Sequence, residues 1–102
     1  MSDKLPLLVG KHIERTERIH DYFQVFFVDS SILNIFNKHS IIDALDARLT
    51  GYEIAKTEQD KETITLVLLP EGTIRVGLRE SDYLGPEAME YISESGSCVV
   101  WP

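Results

Sequence analysis

The chain reads as mainly β with an α+β flavour: two three-stranded antiparallel meander repeats packed as a sandwich or a partly open barrel, with one or two short helices and a C-terminal strand. Three observations predict this. Residues 10–36 recur at 51–77 at a constant offset of 41 positions, without a gap. Gly10, Ile13, Thr16 and Glu17 return as Gly51, Ile54, Thr57 and Glu58, while Phe23, Val25, Phe27, Leu33 and Ile35 return in kind as Ile64, Leu66, Leu68, Ile74 and Val76. The matched apolar positions alternate with other residues, the period of a strand with one buried face. Short polar or glycine-containing turns separate the apolar runs in both copies. A repeat of this length is one supersecondary unit that cannot close a core by itself, so two copies should pack together. The 102 residues are expected to form one domain, with repeats at about 8–48 and 49–92 and a final strand at 98–101.

Each unit should open at a glycine, Gly10 or Gly51, where the backbone bends or approaches a neighbour closely. In the first copy, strands are expected at 12–19, 22–28 and 32–36. The second of these is rich in aromatic and β-branched residues, which suit a pleated surface. Asp29, Ser30 and Ser31 form the intervening turn, their short polar side chains able to bond the local backbone. The second copy gives strands at 53–59, 63–69 and 73–78, with Pro70-Glu71-Gly72 as the turn; glycine there supplies positive φ. Between the copies, Ser40 and Asp43 resemble a capping box, and Ile41, Ile42, Leu45 and Leu49 fall at roughly helical spacing, so 41–49 reads as a helix. Pro86 and Glu87 similarly suggest a short helix within 84–92, proline suiting the first turn and the acid the positive end of the dipole. Glu94 to Ser97 is a polar link, and Cys98, Val99, Val100 and Trp101 form the last strand.

The alternation gives the central strands two unequal faces. The matched residues are the inner set and should form the shared core. In the second copy the outer set is Thr63, Thr65, Val67, Leu69, Thr73 and Arg75, mixed enough to meet water. In the first copy it is mostly apolar: Tyr22, Phe26, Val28 and Phe36 stand out. Those four are a candidate apolar interface, to be covered by the 41–49 helix, by the C-terminal tail, or by another subunit such as a homodimer partner.

Composition narrows the function. The net charge is −7, and the second half holds the imbalance, with ten acids against four bases in 51–102. Glu80, Asp82, Glu87, Glu90 and Glu94 follow one another without an intervening lysine or arginine. Such a surface repels phosphate backbones, which argues against nucleic acid, and attracts basic partners. No apolar stretch has the length of a membrane span, and the N-terminus lacks the pattern of a signal peptide, so no membrane association and a cytoplasmic location are expected. One cysteine, Cys98, permits no internal disulfide. The histidines, His12, His20 and His39, lie at no metal-ligand spacing, and neither a phosphate-cradling glycine loop nor a nucleophile elbow occurs. No catalytic residue, metal or cofactor is therefore expected, and the chain reads as no enzyme. The candidate partner-binding residues are Glu80, Asp82, Tyr83, Leu84, Glu87, Glu90 and Tyr91, carboxylates with an apolar anchor among them.

The pattern Leu49-x-Gly51-x-x-Ile54, then Ile64-Thr65-Leu66-Val67-Leu68, Gly72-x-Ile74-x-Val76 and Gly85-Pro86-Glu87-Ala88 resembles a group of small bacterial two-repeat β-meander proteins. In that group glycine, isoleucine and Gly-Pro-Glu-Ala signatures recur, often twice per chain, and some members act as immunity proteins for neighbouring toxins. The likeness spans roughly residues 8–92. Leu68-Leu69-Pro70-Glu71-Gly72 departs from the group's Phe-x-Asp-Gly form, and Asp29-Ser30-Ser31 departs from it in the first copy. The shared features are turns and core positions, so the resemblance carries over no catalytic or ligand residue. It implies a non-catalytic acidic binding protein that neutralises a basic protein toxin by occluding its basic site. The alternative is a homo-oligomeric binding or assembly module with no toxin partner.

Overall fold

The computed structural model describes residues 4–45 and 48–102. Nine strands build it: β1 (Ile13–Ile19), β2 (Tyr22–Phe27), β3 (Ile32–Ile35), β4 (His39–Ile42), β5 (Glu53–Gln59), β6 (Thr63–Leu69), β7 (Thr73–Gly77), β8 (Met89–Ile92) and β9 (Cys98–Trp101). Short 3-10 turns lie at Leu5–Leu8 and Glu80–Asp82. The expectation of a mainly β chain with a C-terminal strand is met. The strands form two antiparallel sheets, one in the order β1-β2-β3-β8-β9 and the other β4-β7-β6-β5.

Local chemistry accounts for the meander turns. His20 takes positive φ in the two-residue loop between β1 and β2. Asp60 Oδ1 accepts the amides of Glu62 and Thr63 at 2.8 and 2.9 Å, closing the β5–β6 loop. Asp29 Oδ1 does the same for the Ser31 amide at 2.9 Å and also accepts from the Ser31 hydroxyl. Gly72 is needed twice over: its φ is +95, and a Cβ there would come within 2.6 Å of the Ala44 side chain.

Partners in the two ladders correspond. Ile13 faces Phe27 and Thr16 faces Val25, as Ile54 faces Leu68 and Thr57 faces Leu66. The register shifts once in β1, between Ile13 and Arg15, and once in β5, between Ile54 and Lys56. The sheets meet at one corner through reciprocal hydrogen bonds. Gly10 N donates to Ile54 O and Gly51 N to Ile13 O, both at 2.7 Å, with His12 opposite Glu53. Gly10 and Gly51 have φ of 89 and 88, so the backbone turns at both expected glycines.

Among the described residues, strands take part of both segments expected to be helical. Ile41 and Ile42 lie in β4, and Asp43, at φ 61, ends the strand where a helical first turn was expected. Asp46 and Ala47 of that segment lie outside the described residues. The second helix is replaced by β8, in which Met89 and Tyr91 are buried while Glu90 and Ile92 are only partly so, a period of two rather than 3.6. The reason is tertiary. β3 and β7 each leave an unpaired edge, and the next strand of chain crosses to fill the other sheet's edge: β4 pairs with β7, and β8 with β3. Unpaired buried backbone groups cost more than the weak helical preference of either segment returns.

The inner faces supply one buried cluster. Phe23, Val25, Phe27, Leu33, Ile35, Met89 and Trp101 come from the first sheet, and Ile54, Ile64, Leu66, Leu68, Ile74 and Val76 from the second. Ile13 and Tyr91 of the first sheet, with Leu5, Leu8, Leu49 and Ala88, complete it. Fully buried Asn37 donates to Gly77 O at 2.7 Å as the chain passes from β3 to β4.

Candidate functional site

The outer face of the first sheet carries side chains in rows fixed by register. Glu17, Gln24, Asn34 and Glu90 stand in one cross-strand row. Gln24 donates its amide to Asn34 Oδ1 at 2.9 Å, and Asn34 donates to Glu90 Oε1 at 3.3 Å, so Glu90 ends a hydrogen-bonded line across the sheet. Apolar side chains flank this row. On one side Phe26 lies beneath the Arg15 guanidinium, whose carbon is 3.7 Å from the ring centre; that same guanidinium is paired with Glu17. On the other side the rings of Tyr22 and Phe36 meet at 5.5 Å and 58°.

The loop before β8 rises beside that aromatic pair. Tyr22, Phe36, Leu84, Gly85 and Pro86 line a cleft of about 270 Å³, with Asp21 and Glu87 as its charged groups. The apolar face and the acidic segment, separate in the sequence, therefore meet in one place. Both charged groups are carboxylates, and two aromatic rings form part of the wall. A Lys or Arg side chain fits that chemistry, since a cation gains from ring faces and from carboxylates together.

The remaining expected site residues disperse. Glu80 is exposed in the turn at Glu80–Asp82. Asp82 faces inward along the chain: its carboxylate accepts the Arg79 amide at 3.2 Å and occupies the space above Gly77. Tyr83 donates its hydroxyl to Pro102 O at 3.1 Å and so ties the C-terminus to the loop. Leu84 is 54% exposed at the mouth of the cleft. Tyr91 belongs to the core, at 6% exposure, because neighbours on a strand face opposite sides and Glu90 takes the outer one. Val28 stands apart from Tyr22, Phe26 and Phe36. It is 60% exposed and shares a separate hollow with Leu7 and Val9.

Among the described residues, neither expected intramolecular cover lines the cleft at Tyr22 and Phe36. Ile41, Ala44 and Leu45 line a hollow with Arg18 and His39, and the C-terminal segment runs in the plane of the sheet as its edge strand. Asp21 was not foreseen as a site residue, though it directly precedes Tyr22 and could have been found by reading the turn with the strand.

Two further polar clusters are shaped by packing. Lys11 lies over the rings of Phe27 and Tyr91, 5.9 and 5.3 Å from their centres, and pairs with Asp29 at 2.5 Å. Burial alone would raise the Asp29 pKa, but hydrogen bonds from Lys11 and Ser31 outweigh it and hold the carboxyl at about 2. Burial likewise opposes the charge on Lys11, yet its bonds to Asp29 and Tyr91 leave its pKa raised. At the other end, His39 Nδ1 lies 3.0 Å from Asn37 O, which can only accept, so the ring is protonated there. Its Nε2 then accepts from Arg18 at 3.2 Å, while the ring stacks on Phe23.

Among the described residues no group of three or more His, Cys, Asp or Glu is placed to hold a metal ion, and no helix is long and apolar enough to cross a membrane. No family model, no curated protein and no solved structure matches the chain.

Proposed function

We propose that this chain is a non-catalytic, cytoplasmic binding protein that captures a basic partner protein at the Tyr22–Phe36 cleft, as an immunity protein does when it occludes a toxin's basic site. The observation that carries the reading is the pairing of two aromatic rings with Asp21 and Glu87 around a cavity sized for one cationic side chain. The net charge of −7 would steer such a partner from a distance, and the hydrogen-bonded Glu90 lies on the same outer face. The scaffold behind it is, in this proposal, two copies of one meander unit packed face to face. The equivalent registers and the reciprocal bonds of Gly10 and Gly51 support that.

The test is an NMR titration of the full chain with an arginine-centred basic hexapeptide, repeated at rising salt. Saturable shifts at Tyr22, Phe36 and Glu87 that weaken with salt are expected, and Tyr22→Ala with Glu87→Gln should abolish them. Shifts confined to other surfaces would remove the cleft from consideration. If a toxin is encoded beside this gene, the same double variant should also fail to protect cells from it.

A second reading, a homo-oligomeric assembly module, rests on the exposed aliphatic side chains Leu7, Val9 and Val28 in one hollow. Light scattering decides between them: a dimer dissociated by Val28→Asp would favour this alternative.

A further inference from the structure

On the outer face of the second sheet, at the end away from the glycine corner, a groove of about 420 Å³ runs between β4, β7 and the turn at Glu80–Asp82. Register sets its centre: Arg75 stands between Thr65 on β6 and Ser40 on β4, with Thr63 opposite Gly77 one step further along. Lys38 and Arg79 contribute at the rim. We infer that this groove is a binding site for a small oxyanion of the phosphate class, free or carried as a phosphomonoester.

Two carboxylates line the groove, and both are engaged. Glu62 accepts from Arg79 Nε at 3.1 Å, and Asp82 accepts from the Arg79 amide and fills the space over Gly77. What is left is donor-rich. The Lys38 ammonium and the Arg75 guanidinium have no ion-pair or hydrogen-bond partner among the described residues, and neither do the hydroxyls of Ser40, Thr63 and Ser81. Lysine and arginine side chains donate only, and hydroxyls can donate, so the matching ligand is one made of acceptors. An arginine fork matches two oxygens of a phosphate, and a nearby ammonium adds a point charge. Lys38 and Arg75 line the groove beside the Arg79–Glu62 pair and Asp82, so its cations outnumber its carboxylates by one on a chain whose net charge is −7. That net charge would oppose a long polyanion such as nucleic acid, whose affinity depends on many phosphate contacts, while leaving a single small anion able to bind.

The experiment is a ¹⁵N NMR titration of the full chain with sodium phosphate at fixed ionic strength, with sodium chloride as the control. Saturable shifts are expected at the Ser40, Arg75 and Gly77 amides, with a dissociation constant of about a millimolar or below, and none with chloride. Lys38→Ala with Arg75→Ala should weaken phosphate roughly tenfold or more, whereas Lys4→Ala, removing a cation beside the Leu5–Leu8 turn, should leave it unchanged. If the double variant does not fold, Ser40→Ala serves in its place, read by the same shifts. A parallel titration with glycerol phosphate separates the sources: tighter binding than inorganic phosphate identifies a phosphomonoester site, and equal binding a site for the free ion. Shifts that grow linearly with phosphate without saturating, or equal affinity in wild type and double variant, would overturn the inference.

Discussion

At the scale of single residues, Asp29 shows how a solvent-facing turn can still be held by charge. Its carboxyl is depressed from 3.8 to about 2 because Lys11 and Ser31 bond the ionised form. A depressed acid stabilises the fold above its unfolded pKa and loses that contribution as the pH falls through its folded pKa. Stability should therefore decline between about pH 4 and about pH 2 in the native chain. Asp29→Asn should flatten that part of the curve, measured by denaturant midpoints across pH. The side chain is 42% exposed, so screening holds the difference to roughly 1 kcal/mol. Core residues act on a larger scale. Phe27 and Leu68 are each 2% exposed, and truncation to alanine should cost about 3–5 and 2–5 kcal/mol respectively, read from urea unfolding. Asn37 is a polar counterpart. Asn37→Asp would replace the donor to Gly77 O with a buried carboxylate and should cost more than about 3 kcal/mol, recovering in part at low pH as the carboxyl is protonated.

At the scale of elements, strand existence was legible wherever alternation ran long. The six meander strands lie close to their expected positions because inner-face residues such as Phe23, Val25 and Phe27 leave only one register that buries them all. The segments at 41–49 and 84–92 were illegible for a stated reason. Ile41-Ile42 and Met89-Glu90-Tyr91 are too short to separate a period of two from one of 3.6, and local signals such as Ser40, Asp43 and Pro86 favoured helix. Paired on both sides, β8 should behave as an interior strand, while β4 and β9 lie at sheet edges. Hydrogen exchange should then be slow for the Glu90 and Tyr91 amides, comparable to β2, with the outward-facing amides of β9 much faster. Rapid exchange throughout Met89–Ile92 would contradict the pairing with β3.

At the scale of the whole molecule, the crossing of β4 and β8 makes the halves dependent on one another. The first sheet takes β8 and β9 from the second half and the second sheet takes β4 from the first, and the corner bonds of Gly10 and Gly51 run between the sheets. Residues 1–48 and 49–102 expressed separately should each be largely unfolded, and mixing them should restore the β signal in far-ultraviolet circular dichroism. A half that folds alone, with cooperative melting, would show that the exchanged strands are dispensable. The candidate site is likewise a whole-molecule property. Tyr22 and Phe36 come from one end of the chain, and Leu84 and Glu87 from the other.

From the sequence alone one could determine which residues turn inward, where glycine is required, and that the surface is acidic, because periodicity and turn chemistry are local and each leaves its mark within a few positions. Tertiary structure decided which edges β4 and β8 would pair with, that Tyr91 is core while Glu90 faces out, and that Tyr22, Phe36, Asp21 and Glu87 share a cleft. It also gathered Lys38, Arg75 and Arg79 into one groove. Those outcomes depend on backbone groups finding partners across the fold, and the free energy of a pairing more than thirty residues away has no signature in the segment that makes it.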